Sequence, residues 1–128
     1  MKRILTVAAL LLTACGAATS ATGNLDDDSF TYMSDMRAAL EAHDIDCADY
    51  TQEDAGVDTN IREVGLCPGF RIILMRISLQ GDAMKPIRAI YAMKFPYAFV
   101  GANWVIGTDT EANAKFLTKQ LHVEPYSG

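Results

Sequence analysis

The sequence is poor in basic residues. Eleven Lys and Arg stand against sixteen Asp and Glu among 128 residues, which gives a net charge of −5. Removal of the first fourteen residues would take away Lys2 and Arg3 and leave nine basic residues against sixteen acidic ones, a net charge of −7. Proteins that bind nucleic acids present a basic surface. We therefore expect no nucleic-acid partner.

The chain also lacks an apolar run long enough to cross a membrane. Its most continuous run covers residues 4–12, which is about nine residues, whereas a membrane-spanning helix needs about 20. With Lys2 and Arg3 in front of it, this run has the proportions of a secretory signal peptide. Half of the whole chain is apolar, a share that fits one small globular domain.

Histidine is scarce, and the familiar catalytic motifs do not occur. His43 and His122 are the two histidines, and there is no H-E-x-x-H, P-loop, G-x-G-x-x-G or G-x-S-x-G pattern. We expect no enzyme, no metal and no cofactor. A hydrolase of cell-envelope polymers stays open as an alternative, because two distant carboxylates can meet in a folded site that the sequence does not reveal.

The first of the three cysteines lies in a recognisable motif. Leu12-Thr13-Ala14-Cys15 resembles the lipobox of bacterial lipoproteins. The resemblance implies that residues 1–14 are a signal peptide and that Cys15 carries lipid. The protein would then be extracytoplasmic and anchored to a membrane of the bacterial envelope, since each buried methylene contributes roughly 0.8 kcal/mol. The alternatives are an ordinary signal peptide cut near residues 18–21 and an uncleaved apolar start.

The two remaining cysteines, Cys47 and Cys67, are predicted to form a disulfide once Cys15 is assigned to lipid. Closing a loop of about 20 residues stabilises a protein by about 3 kcal/mol in the chain-entropy model. A metal pair is the first alternative, but neither His43 nor His122 belongs to a ligand motif. A redox pair is the second, although such pairs usually have C-x-x-C spacing.

A flexible tether is expected between the anchor and the folded domain. Residues 16–24 are small and polar, a composition typical of linkers. We assign residues 15–28 to the tether and residues 29–128 to one domain. Asp26, Asp27 and Asp28 end the tether, and we interpret them as a solvated run that favours the start of the next helix, rather than as a calcium site.

The apolar pattern predicts an α+β fold with the order α-β-β-α-β-β-α. We expect a two-layer sandwich, with a mostly antiparallel sheet and all helices on one face. Residues 48–60 are polar and predict a surface loop. The first helix should be capped by Ser29. The predicted helices cover residues 29–43, 83–94 and 108–121, and the predicted strands cover residues 61–67, 70–79, 97–100 and 104–106.

The domain also resembles a loose group of small, uncharacterised lipoproteins of actinobacteria. The resemblance covers most of residues 30–121 and supports the predicted order of elements, but it implies no common activity. It rests on the anchor cysteine, the two later cysteines and a strand-turn-strand with Gly-x-Asn-Trp, here Cys15, Cys47, Cys67, Gly101, Asn103 and Trp104.

Five residues are candidates for binding. Trp104 and Asn103 lie in the predicted hairpin turn, where the tryptophan could anchor a partner. The alternative is structural: the indole packs under the last helix, and Asn103 takes a positive φ in the turn. Asp54 and Asp58 lie in the acidic loop, and Tyr97 is an aromatic residue that exposure would make a candidate.

These features predict a lipid-anchored binding or adaptor module of the cell envelope. Its partners would be the membrane, through the lipid, and an unidentified envelope protein or small ligand. A phage or prophage lipoprotein that excludes superinfection is an alternative, as is the hydrolase. The acidic loop and the hairpin are the surfaces that we expect to bind, since loops on a rigid scaffold commonly carry function.

Overall fold

The computed structural model describes residues 25–127, which form one antiparallel sheet and three α-helices. The strands are β1 (Thr51–Glu53), β2 (Ile61–Cys67), β3 (Phe70–Met75), β4 (Tyr97–Val100) and β5 (Trp104–Thr108). The helices are α1 (Met33–Ala42), α2 (Lys85–Ala92) and α3 (Glu111–Leu121). The strand order is β1-β2-β3-β5-β4, with every neighbouring pair antiparallel. The predicted α+β class and antiparallel sheet are confirmed.

The two faces of the sheet are both apolar and both covered. Successive side chains of a strand point to opposite faces. In β3, Ile72 and Leu74 belong to one buried cluster, whereas Ile73 and Met75 belong to another. The first cluster includes buried residues of α1 and α3, and the second includes Tyr91 and Ala92 of α2.

The prediction that all helices lie on one face is therefore wrong, and so is the two-layer arrangement. Helix α2 packs on the face opposite to α1 and α3. The cause lies in the central strands β3 and β5, whose apolar residues face both sides and would leave one side exposed to water in a two-layer fold.

Helix α2 lies in the crossover between β3 and β4. Since β5 is antiparallel to both of these strands and lies between them, β3 and β4 run in the same direction. A connection between strands of the same direction must cross the sheet, and here it does so through α2. The 3₁₀ turns Ile77–Leu79 and Asp82–Met84 precede the helix. Residues 77–79 were predicted as strand, so β3 is shorter than expected.

The predicted start of the first helix is also wrong. Ser29 does not cap it; α1 begins at Met33, after Tyr32. The backbone of Phe30 is held instead by the side chain of Asn103, in hydrogen bonds that keep this part of the chain extended against the hairpin between β4 and β5. Leu25 is buried in the core, so residues 25–28 of the predicted tether pack on the domain.

The predicted loop at residues 48–60 contains one strand that the sequence analysis missed. Strand β1 pairs with β2 along its three residues, with Gln52 opposite Gly65. Its residues are polar and two of them are exposed, so they carry no apolar alternation. An ion pair between Glu53 and Arg71 of β3, with 2.7 Å between Oε1 and Nε, reaches across β2 to hold this edge.

Cys47 and Cys67 are bonded, as predicted. Both are buried, and the disulfide joins the segment after α1 to the end of β2. On the far edge of the sheet, the backbone N–H of Tyr126 donates to the carbonyl of Ala98 in β4, with 2.6 Å between N and O. No helix within residues 25–127 has the length and hydropathy required to cross a membrane.

Candidate functional site

Trp104 and Asn103 lie in the core rather than on a binding surface. Both have an exposed fraction of 0%. The Trp104 indole Nε1 donates to the carbonyl of Asp28 at 3.1 Å. Asn103 Oδ1 accepts from the Phe30 N–H at 2.9 Å, and its Nδ2 donates to the carbonyls of Phe30 and Met75 at 2.8 and 2.9 Å. This arrangement favours the structural alternative, with hydrogen bonding in place of the predicted positive φ, which Asn103 does not have.

Asp54 and Asp58 lie in the connection between β1 and β2, apart from the hairpin turn. Each carboxylate accepts the backbone N–H two residues further on, at 2.9 Å, which stabilises a local turn. Asp58 also accepts a hydrogen bond from the buried hydroxyl of Tyr91, and this bond holds the pKa of Asp58 below its usual value. The acidic loop is thus tied to α2.

Tyr97 starts β4 and is half-buried against the first core cluster. A shallow hollow beside it is bordered by Glu111 and Lys115 of α3, which form an exposed ion pair at 3.8 Å, and by Pro125. The structure therefore does not bring the predicted binding residues together: Tyr97, the acidic pair and the hairpin pair are in three separate places. Cys15 lies outside the described residues.

A cleft of about 560 Å³ lies where the start of α2 faces the β4–β5 hairpin. We call it the Arg88 cleft. Residues from three parts of the chain border it: Asp26 and Asp27 on one side, Asp82, Lys85 and Arg88 on the other, and Tyr126 from the C-terminal segment. Small-molecule sites are typically clefts of about 300–1,000 Å³.

The side of the cleft with Asp26 is positioned by the two residues that the sequence analysis assigned to binding. Residues Leu25–Asp27 form a 3₁₀ turn, and Leu25 anchors this turn in the core. Immediately after the turn, Trp104 and Asn103 hold the backbone of Asp28 and Phe30. The hairpin is therefore what fixes the acidic side of the cleft.

Arg88 occupies the other side, on the buried stripe that α2 presents to the sheet. It has an exposed fraction of 4%. Its Nη1 donates to the carbonyls of Leu79 and Gly81, at 2.6 and 3.1 Å, but its Nε has no hydrogen-bond partner. Burial lowers the pKa of Arg88, and the charge of Asp82 partly opposes that shift. The guanidinium stays charged, because arginine is not deprotonated in proteins.

Asp26 supplies the complementary feature. Its Oδ1 is buried and has no hydrogen-bond partner, although the residue as a whole is half-buried. The neighbouring charged residues of the cleft, unlike Asp26, have a partner or contact water. Asp82 and Lys85 form an exposed ion pair with 3.5 Å between Oδ1 and Nζ, and Asp27 is exposed to water. Buried polar atoms in proteins are nearly always hydrogen-bonded. The residues that carry this donor and this acceptor, Arg88 and Asp26, border the same cleft.

A second hollow, of about 430 Å³ near the disulfide, differs from the Arg88 cleft in the pairing of its polar groups. Its arginine, Arg71, is already paired with Glu53. One of its acceptors, the carbonyl of Gly69, receives hydrogen bonds from Thr108 Oγ1 at 2.7 Å and Asn113 Nδ2 at 3.1 Å. No polar side-chain atom of this hollow is both buried and unpaired within the described residues. The Arg88 cleft is therefore the better candidate for a ligand site.

The described part of the chain brings no three His, Cys, Asp or Glu side chains together in a geometry that could hold a metal ion. The three carboxylates around the Arg88 cleft thus do not converge on one point. Of the histidines, His43 is buried, with its Nδ1 3.0 Å from the carbonyl of Ala39. His122 takes a left-handed conformation at the end of α3. Both are placed by the ends of helices rather than in the cleft.

Comparison of the chain with family models, with curated proteins and with solved structures found no match.

Sequence analysis missed both principal residues of the cleft. For Arg88 a signal was available: it lies three residues before Tyr91 and four before Ala92, so it shares their helix face, and a charge on a buried stripe is unusual. For Asp26 there was none, because a run of three aspartates looks the same whether it is solvated or held against the domain.

Proposed function

We propose that the protein is a lipid-anchored, extracytoplasmic binding module that holds a small carboxylate-bearing ligand in the Arg88 cleft. The observation that carries the proposal is the buried guanidinium of Arg88, whose Nε has no partner. Leaving such a donor unsatisfied costs about 1–3 kcal/mol, and a bound carboxylate would remove that cost. A guanidinium is also the side-chain group best shaped for a carboxylate, because two N–H groups can donate in parallel.

The location rests on different residues. The lipobox resemblance assigns lipid to Cys15, and the disulfide between Cys47 and Cys67 is of the kind that persists outside the reducing cytosol. A carboxylate ligand would then be collected at the membrane surface. We place the binding function in the cleft rather than in the hairpin, because the side chains of the hairpin are already used within the fold.

NMR of the guanidinium Nε–H groups tests the binding function on the full chain in detergent micelles. The probes are small carboxylates: acetate, propionate, free amino acids and N-acetylated amino acids. We expect at least one of them to shift the Arg88 Nε–H signal in a saturable way and to leave the Arg71 signal in place. Arg88→Lys keeps the positive charge but removes the Nε donor and its signal, so binding to this variant is measured by isothermal titration calorimetry and should be abolished. Arg71→Lys is the matched control and should retain it.

Each carboxylate is added up to 10 mM, a dissociation constant that corresponds to about 3 kcal/mol of binding free energy. If none of them shifts the Arg88 Nε–H signal, the binding function is overturned.

The lipid anchor has its own test. In a bacterial host fed with labelled palmitate, the wild-type chain should carry label and sediment with membranes, whereas Cys15→Ser should do neither. Unlabelled wild-type protein would contradict the anchor and leave the cleft unaffected.

A further inference from the structure

We infer that the ligand of the Arg88 cleft is a small zwitterion of the α-amino-acid type, with its carboxylate on Arg88 and its ammonium group on Asp26. This inference deepens the proposed function and rests on it. It adds a second recognition element, because a simple anion would use the guanidinium alone.

Two residues that border the same cleft each have a side-chain atom without a partner, and the two atoms are of opposite chemistry. Arg88 Nε is a buried donor with no acceptor, and Asp26 Oδ1 is a buried acceptor with no donor. If they faced each other at contact distance, they would form an ion pair, and none is present between them. Since neither atom has a partner within the fold, a ligand that supplies one acceptor and one donor would satisfy both.

The charges around the cleft also favour a ligand that carries both a carboxylate and an ammonium group. Three carboxylates, those of Asp26, Asp27 and Asp82, face two cations, those of Lys85 and Arg88. Lys85 and Asp82 are paired with each other. A lone anion bound at Arg88 would lie in a cleft that still holds the carboxylates of Asp26 and Asp27 without an ion-pair partner, and like charges repel. A ligand that also brings an ammonium group removes this repulsion and supplies up to three N–H donors.

A metal ion is a poorer occupant of the acidic side. Calcium takes six to eight oxygen ligands, and magnesium needs near-octahedral ones. Among residues 25–127, the acidic side chains do not form a group of three that could hold an ion. A metal would also leave Arg88 without a partner, whereas a zwitterion satisfies both atoms.

Three probes that differ in one charge each test the inference, on the full chain in micelles and with the Arg88 Nε–H signal as the readout. Free amino acids carry both charges, N-acetylated amino acids carry only the carboxylate, and amino-acid methyl esters carry only the ammonium. We expect a free amino acid to bind roughly ten- to a hundredfold more tightly than its N-acetyl derivative, because a hydrogen bond to a charged group contributes about 1.5–3 kcal/mol. The methyl ester should bind at least as poorly.

Variants identify the residue. Asp26→Asn keeps the size of the side chain and removes its charge, so the free amino acid should lose its advantage over the N-acetyl derivative. Asp27→Asn alters the exposed neighbour and is the matched control, which should leave that advantage in place. Should Arg88→Lys fail to fold, because Nη1 also holds the carbonyls of Leu79 and Gly81, the comparison of probes and Asp26→Asn still decides the question.

The outcomes separate the two proposals. If N-acetylated and free amino acids bind equally well, the zwitterion is wrong and the carboxylate-binding function stands. If the preference for the free amino acid survives Asp26→Asn, the assignment of Asp26 is wrong. If the methyl ester binds best, or if no probe binds, both the inference and the binding function fail.

Discussion

Asn103 offers the sharpest test of how the N-terminal segment is held. Its side chain makes three hydrogen bonds of 2.8–2.9 Å, two of them to the backbone of Phe30 and one to the carbonyl of Met75. Asn103→Ala removes all three hydrogen bonds, and the alanine side chain forms none to replace them. Each bond contributes about 1 kcal/mol, so the free energy of unfolding should fall by about 3 kcal/mol.

The assay is urea unfolding of the full chain, followed by the fluorescence of Trp104. Gln120→Ala is the control, since the Gln120 side chain makes one hydrogen bond, to the carbonyl of His43 at 2.9 Å. It should cost about 1 kcal/mol. The slope of the free energy against urea should stay constant in both variants, as expected when the same surface is exposed on unfolding.

Equal destabilisation by Asn103→Ala and Gln120→Ala would refute this account of Asn103. It would mean that water replaces the lost bonds and that Phe30 is held by packing alone. Loss of ligand affinity with no loss of stability would also contradict it, because Asn103 would then act as a binding residue after all.

Three further outcomes are expected. Gly101→Ala should destabilise the protein by roughly 1–3 kcal/mol in urea unfolding, because an added Cβ would lie 1.9 Å from the indole ring of the hairpin tryptophan; stability equal to the wild type would show that the turn can move away. The double variant Cys47→Ser, Cys67→Ser should lose about 3 kcal/mol, and a reducing agent should destabilise only the wild type. Burial and the carboxylate of Glu63 raise the pKa of Tyr50 to about 12 from 10.0, so this phenol contributes stability that is fully present below pH 10 and is lost as the pH rises towards 12. Tyr50→Phe should remove that part of the alkaline loss, and an unchanged pH profile would disprove the shift.

The sequence predicted best what local pattern determines. The hairpin of β4 and β5 was found because apolar strands flank a short turn, and the disulfide was found because two cysteines remained after the lipobox. The central position of β3 also follows from residues 72–75, which are apolar on both faces. A strand that is apolar on both faces also needs another element packed on each face. The prediction of helices on one face, made from the order of elements, did not use this requirement.

The parts that were missed depend on contacts distant in sequence. The segment before α1 is held at Phe30 by Asn103, which lies 73 residues further along the chain. Strand β1 has no apolar signal and exists because the edge of β2 is available for pairing. The Arg88 cleft depends on three segments that meet only in the folded chain, so neither the charge of Asp26 nor that of Arg88 could be assigned to a site from sequence alone.

The two sheet edges bear on how this protein behaves at high local density. A free strand edge can pair with the same edge of another molecule and so start aggregation. Strand β1 is only three residues long and polar, which limits such pairing. Strand β4 is apolar, but the segment around Tyr126 already takes one of its carbonyls. Both edges thus offer less to a second copy than their length suggests, which should limit edge-to-edge association when many copies are close together.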